Sequence, residues 1–402
     1  MSTGATSPAA GPDSSGPGPG PRPERPLEAP RDWPSPAAIL AHLLVTFGAA
    51  AGRGAWFEVE ATRHHPNEFA ILVGDSAKAR KGSSWDHVER VIGRADPSLS
   101  PRILTGLSSG EGLIWAVRDP CGPDPGPADR RLLVVEPELA SVLKQTTREI
   151  NTLSPVLRSA WDGRALALMT RTSPARASAA HVSVIGHITG AELRRHAGAV
   201  EIANGFLNRF SVIACRRVRL LPEGGERDPL AGSGLERRLA AGGAGRVRLG
   251  PRARELWREA YERLATPVPG ISGALDARAE AHAIRLALIY ALIDGASEIA
   301  ATHLESALAL REYSSRSVGW AFDERAGDSV AAEIWIAIRH AAPDGLTRTQ
   351  IRDLCHRNQS GARIDGALAA LRSAGRITRG RVMTGGRPAE LWSAAASPEA
   401  AG

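Results

Sequence analysis

Five short apolar runs, each trailed by a helical pattern, constrain this chain more than any other feature. They are Phe69–Val73, Arg102–Thr105, Arg131–Val135, His181–Ile185 and Arg209–Ala214. Helices read at Ser84–Gly93, Gly110–Val117, Glu138–Leu143, Thr147–Ala160 and Thr189–Ala197. Strands that are apolar throughout leave no side for water, so both faces of their sheet must be covered. Alternation with helices supplies that cover and makes the sheet parallel. An α/β fold is expected, with a further helix at Pro36–Ala51 and a short strand at Trp56–Val59 entering it.

Composition shifts divide the rest. Residues 1–32 are Pro, Gly, Ser and Ala with scattered charge, too poor in apolar side chains to fold, and read as a disordered tail. The sheet segment occupies 33–221, a Gly-rich linker or loop 222–250, and a helical segment 251–325. That segment carries apolar residues at helical spacing over Arg254–Leu264, Ala274–Asp294 and Ala301–Trp320. From 330 to 393 three helices precede a two-strand alternation around Gly385-Gly386, the pattern of a winged helix-turn-helix. Residues 394–402 read as a second disordered tail.

Charge and cysteine usage narrow the function. A net charge of +7 favours polyanionic partners. Aromatic content of 4% argues against a stacking platform for single strands. Cys121, Cys215 and Cys355 are far apart without CxxC spacing, so neither a disulfide framework nor a zinc site is expected. No apolar run reaches membrane length, and the N-terminus lacks the pattern of a secretion signal. A cytoplasmic protein with no membrane partner is expected.

The chemistry concentrates in one loop. The chain has 50 Lys+Arg but only three lysines, and Lys78 and Lys81 share the turn after the first run. Where Arg is used almost everywhere, a retained Lys points to a need for a compact, strongly hydrated ammonium. The turn reads Gly74-Asp75-Ser76-Ala-Lys78-Ala-Arg-Lys81-Gly82-Ser83-Ser84, between an apolar strand and a helix. Phosphate-binding loops are built this way: backbone N–H groups cradle phosphates, a Lys reaches the outer ones and a hydroxyl holds Mg²⁺. Lys81 is read as the phosphate lysine and Ser83 or Ser84 as the Mg²⁺ ligand. The spacing departs from Gly-x4-Gly-Lys-Ser/Thr, with Lys81 seven positions after Gly74 and Gly82 ahead of Ser83. A plain surface turn is the competing reading.

Other runs end in polar groups where such a site needs them. Arg131–Val135 leads into Glu136-Pro-Glu138, a strand end suited to polarising water and binding Mg²⁺; Glu136 is the first choice and Glu138 the second. The run at His181 ends on His187, placed to read the terminal phosphate or the attacking water. Arg209 stands just before a core strand, where an arginine can complete a neighbouring subunit's site. In the C-terminal segment, Arg363 and Arg372 lie on the third helix and Arg379, Arg381 and Arg387 on the wing, suiting DNA contacts. Docking of a protein is the alternative use of such a module.

Several of these segments together resemble a known family. Ile71-Leu-Val-Gly74-Asp75, Leu107-Ser-Ser-Gly110-Glu-Gly112-Leu113 with Ala116-Val-Arg-Asp119, the Glu136 strand and Asn208-Arg209-Phe210 look like the motif series of minichromosome-maintenance-type AAA+ helicases, in the same order. Arg278-Ala-Glu-Ala-His-Ala-Ile-Arg285 resembles their second sensor. From Trp33 to Trp392 the likeness is to the YfjI-like family of mobile-element proteins. The resemblance implies a P-loop, AAA+-like core with a helical lid, an ATP·Mg²⁺ site between subunits of a hexameric ring, and Arg278 as a γ-phosphate sensor. It implies a DNA-dependent ATPase of helicase or translocase type, working with a separate primase or replication initiator. The chain lacks the Asp-Glu pair of the second motif, which bears on hydrolytic efficiency. A non-catalytic DNA-binding regulator and a small-molecule phosphotransferase are the rival expectations.

Overall fold

Helix α1 (Pro36–Ala51) is apolar on nearly every side, with His42 standing out, and such a helix belongs inside a protein. The computed structural model describes residues 36–74, 79–148, 151–168, 175–216, 234–241, 243–322, 329–354, 360–373, 375–382 and 388–395. It packs α1 against one face of a central sheet. The chain continues through a hairpin, β1 (Ala55–Val59) and β2 (Thr62–His64), into β3 (Phe69–Val73), α2 (Lys81–Ala95) and β4 (Ile103–Leu104). Next come α3 (Gly110–Ala116), β5 (Arg131–Glu136), α4 (Leu139–Thr146) and α5 (Leu153–Trp161). A second hairpin, β6 (Leu166–Leu168) and β7 (Ala175–Ala177), precedes β8 (His181–Ile188), α6 (Gly190–His196), α7 (Ala199–Ala203) and β9 (Ser211–Ala214).

Five strands form an all-parallel sheet in the order β4-β5-β8-β3-β9. Phe69, Ile71 and Val73 of β3 enter one core with Val134, Val184 and Leu157. Ala70 and Leu72 enter the other, with Leu133, Ile185 and α1. Burial on both faces is why these strands are continuous apolar runs. From β3 the chain crosses to the far edge, steps back through β5 and β8, then passes over β3 to β9. The direction of winding therefore reverses beside β3, and open α/β sheets offer their ligand crevice at the carboxyl ends of strands at such a point.

The second half joins the same molecule more intimately than a linker and lid would. It comprises α8 (Leu235–Ala241), β10 (Gly245–Arg246), β11 (Arg248–Leu249), α9 (Pro251–Ala265), α10 (Gly270–Asp276), α11 (Ala279–Ile293), β12 (Glu298–Ile299) and α12 (Ala301–Phe322). The expected 222–250 linker holds α8 and two short strands among its described residues, because Leu235, Val247 and Leu249 are buried. β10 pairs with β1 and β11 with β12. The helix expected over Ala274–Asp294 is broken at Ala277-Arg278 into α10 and α11. α11 is buried nearly all round and shares its core with α1 and the sheet.

The C-terminal segment has its own apolar core, built on Ile334, Ile338, Ile351, Ile364, Leu368 and Trp392. Its elements are α13 (Ser329–His340), β13 (Leu346–Thr347), α14 (Arg348–Leu354), α15 (Gly361–Ser373), β14 (Ile377–Val382) and β15 (Ala389–Ala394). The strands form an antiparallel sheet in the order β13-β15-β14. Among the described residues no helix is long and apolar enough to cross a membrane.

Candidate functional site

The carboxyl edge of the sheet gathers part of the expected set. Gly74 follows β3, and its N–H bonds the Ile188 carbonyl at 3.2 Å, tying the loop's first residue to β8. A Cβ on Gly74 would stand 2.5 Å from that of Ala79 and 2.8 Å from the Cys215 carbonyl, so only glycine fits this close approach. Asp75, Ser76 and Lys78 lie outside the described residues. Lys81 is the first residue of α2, entered through Arg80 at φ 53°. Its Nζ lies 3.4 Å from the Gly74 carbonyl. The helix therefore begins three residues earlier than Ser84, with Lys81 at its positive end.

The two hydroxyls separate. Ser84 is buried and its Oγ donates to the Lys81 carbonyl at 2.7 Å, so it is spent inside the helix. Ser83 is half-buried and Gly82 exposed. Of the pair, Ser83 is the hydroxyl available to a cation.

His187 is 4% exposed near the end of β8, opposite Leu72 of β3. Its Nε2 lies 2.9 Å from His42 Nε2 on α1, and His42 Nδ1 lies 2.8 Å from the Ala38 carbonyl. Burial pushes His42 down to about 3, with His187 a second cause. Burial and then the Lys81 charge push His187 down to about 4. Sequence reasoning did not assign His42 a role. The signal available was a lone imidazole in an otherwise apolar, fully enclosed helix.

Glu136 closes β5 at the same edge, 4% exposed, two strands from β3. At roughly 4.8 Å per strand, β5 and β3 are about 10 Å apart. Its carboxylate turns away from them: Oε1 accepts from the Leu107 N–H at 2.6 Å and Oε2 from the Thr105 hydroxyl at 3.5 Å. Convergence of Lys81 and Glu136 is thus corrected: Lys81 and His187 come together, and Glu136 is bound to the loop after β4. Glu138 is exposed at the start of α4 and makes no side-chain cap.

Arg209 and Arg278 are brought together, but at the opposite edge. Arg209 is 5% exposed, just before β9, donates to the Gly205 carbonyl and pairs with Asp162 at 2.9 Å. Arg278 reaches the same Asp162 at 3.6 Å. Both guanidinium groups stand near the Trp161 ring, which Arg285 covers at 3.8 Å. Burial, then the nearby Arg209 charge, lowers Arg278. A five-residue strand spans roughly 17 Å, so neither arginine can touch a phosphate held by its own Lys81. The expected projecting finger is corrected for Arg209, whose side chain is spent inside its own chain, while Arg278 is 35% exposed. Arg209→Ala should lower unfolding free energy by about 2–3 kcal/mol, since it strips a charged partner from Asp162. Urea melts measure this, and an unchanged midpoint would return Arg209 to the surface role.

In the C-terminal module, Arg363, Arg372, Arg379 and Arg381 are exposed, and Arg387 lies outside the described residues. Arg379 is paired with Glu390 across the β14–β15 ladder. Arg363 and Arg372 are nine positions apart on α15, half a turn out of phase at about 100° per residue. They flank the buried stripe of Ile364, Ala367, Leu368 and Leu371 on opposite sides, so they cannot share one groove contact. No protein-family model matches this chain, and no curated protein matches it.

Proposed function

We propose that this chain is a Mg²⁺-dependent ATPase with an AAA+-like P-loop core, acting on DNA as a helicase or translocase of a mobile element's replication system. The observation that carries the reading is the placement of Lys81 at the mouth of a 15-residue helix, at the sheet's winding reversal, with His187 and Glu136 on the same edge. A positive helix end, an ammonium and a glycine enforced by close approach suit a polyphosphate. Mg²⁺, when bound, would neutralise charge on the outer phosphates, with Ser83 as its hydroxyl and Glu136 reachable only after leaving Leu107.

The amino-edge arginines fit a ring, hexameric by resemblance, in which Arg278 of one copy faces the site of the next. Trp115, 59% exposed on α3 with Arg118 stacked at 3.8 Å, supplies a surface for DNA between the loop and Glu136. The winged-helix reading of the C-terminal module gives a second DNA contact through Arg381 and its neighbours. A separate primase or initiator would be the protein partner.

One observation favours the non-catalytic regulator: the only carboxylate closing β5 is held by Leu107 and Thr105 rather than aimed at the crevice. Phosphate release by purified protein, with and without single- and double-stranded DNA, separates the two. The proposal expects Mg²⁺-dependent release that DNA stimulates. DNA binding indifferent to ATP, with no release, would establish the regulator instead.

A further inference from the structure

We propose that His42 is a positioning residue that fixes His187 as the Nε2–H tautomer, so that Nδ1 of His187 is a hydrogen-bond acceptor at the carboxyl edge and orients the attacking water. This rests on the ATPase reading and goes beyond it, since it assigns the water to His187 rather than to Glu136.

The tautomers follow from one backbone carbonyl. The Ala38 oxygen can only accept, so His42 Nδ1, 2.8 Å away, carries a hydrogen. His42 is completely buried and its basicity is suppressed to about 3, so it holds a single ring proton and its Nε2 bears a lone pair. His187 Nε2, 2.9 Å from that lone pair, must then be the donor. His187 is itself neutral down to about 4, which leaves Nδ1 with its lone pair. The hydrogens run one way, from His187 to His42 to the Ala38 carbonyl.

The surroundings keep the relay in place. The two rings meet edge to face at a centroid distance of 5.1 Å, and Trp85 of α2 packs 5.8 Å from His42. Lys81 is the cation that His187 senses. An acceptor beside an ammonium suits a water lying between the phosphate and the imidazole. A group that stays unprotonated throughout the neutral range is a constant acceptor, and it is too weak a base to store the proton. It therefore orients the water, whose oxygen bonds to the terminal phosphorus while the bridging P–O bond breaks and its electron pair leaves with ADP. The water's proton departs with the phosphate product. Glu136 need not move for this step, since its oxygens already hold Leu107 and Thr105.

Nitrogen-15 resonances of the histidine rings in the full-length, nucleotide-free protein read the tautomer directly. Wild type should show His187 protonated at Nε2 only. His42→Leu should give a mixture of tautomers and a kcat about 10–100-fold lower, with KM within about threefold. His42→Gln, whose amide oxygen can take the same hydrogen, should recover most of the turnover and covers the case in which the leucine variant does not fold. Three results would overturn the assignment: a wild-type ring protonated at Nδ1, a shifted tautomer with unchanged kcat, or a lost kcat with the tautomer intact. Wild-type protein without any ATP turnover defeats the ATPase reading and the water role together, whereas the resonances still report on the His42–His187 relay by itself.

Discussion

Lowering the pH from 7 to 4.5 should unfold this protein. His42, His181 and His187 are 0%, 2% and 4% exposed, and burial holds them at about 3, 3 and 4. His64 and His65 are likewise pushed down to about 4, burial being the first cause for both. Their value in an unfolded chain is about 6.5, so below that pH the unfolded state binds protons that the folded state refuses. Stability is therefore complete above about pH 6.5 and falls as pH drops towards 4. Each such proton changes stability by about 1.4 kcal/mol per pH unit, and the three fully buried rings together by about 4. Over the two units from pH 6.5 to 4.5 that slope removes about 8 kcal/mol, comparable with a net stability of order 5–15 kcal/mol, and His64 and His65 steepen it further. Urea titrations at pH 7.5, 6.5 and 5.5 measure it. A stability constant from pH 7 to 5 would show that these rings are not enclosed as the structure has them.

His282→Leu should cost about 3–5 kcal/mol of folding stability. His282 of α11 and Glu68, just before β3, are each 1% exposed and pair at 2.8 Å. The other ring nitrogen faces the Asn208 carbonyl at 3.1 Å, so the ring has an acceptor on both sides. Loss of the ring strips two buried oxygens, one on Glu68 and one on the Asn208 backbone, of their hydrogen-bond partner, at about 1–3 kcal/mol each. Leucine fills the volume but offers no hydrogen bond to either oxygen. The double variant Glu68→Met with His282→Leu should regain much of the loss, because the Glu68 oxygen is then no longer buried without its partner. Chemical denaturation of the single and double variants checks both statements. Equal losses in the two would mean that packing, and not the stranded Glu68 oxygen, dominates there. The pair matters beyond stability because it joins the helical half to β3 and to the turn that sets Arg209.

What was readable in the sequence followed from locality. Phe69–Val73 is a strand with the expected bounds, and the other runs match within a few residues, because an apolar run between turns reports its own burial. The sequence also located Lys81, since a strand, a Gly-led turn and a helix start are neighbours along the chain. Hairpin β6–β7 was not anticipated: its strands have three residues each, too short for an alternation to register. Short strands β10 and β11 lie in a stretch that reads as linker, because their partners, β1 and β12, are far away in sequence. The break before α11 was hidden by apolar spacing that runs on through Ala277-Arg278.

Side-chain partnerships were the least readable of all. His42 and His187 are 145 positions apart, and nothing local announces that they touch. Glu136 was identified from its place at a strand end, yet its direction depends on Leu107 and Thr105, supplied by the neighbouring edge strand's loop. The same holds for Asp162, which gathers Arg209 and Arg278 only because α5 ends where β9 begins to run. Types of residue and their strand-end positions are sequence properties; orientation is set by the order in which strands assemble.

Calorimetric titration of Mg·ATP into wild-type, Lys81→Ala and Lys78→Ala proteins decides whether a nucleotide binds at the mouth of α2. Wild type should show saturable one-site binding, and Lys81→Ala at least about tenfold weaker binding, the loss of one charged hydrogen bond of about 1.5–3 kcal/mol. Lys78→Ala should bind more nearly like wild type. Binding that is absent in wild type, or undiminished in Lys81→Ala, would contradict a nucleotide site at the mouth of α2.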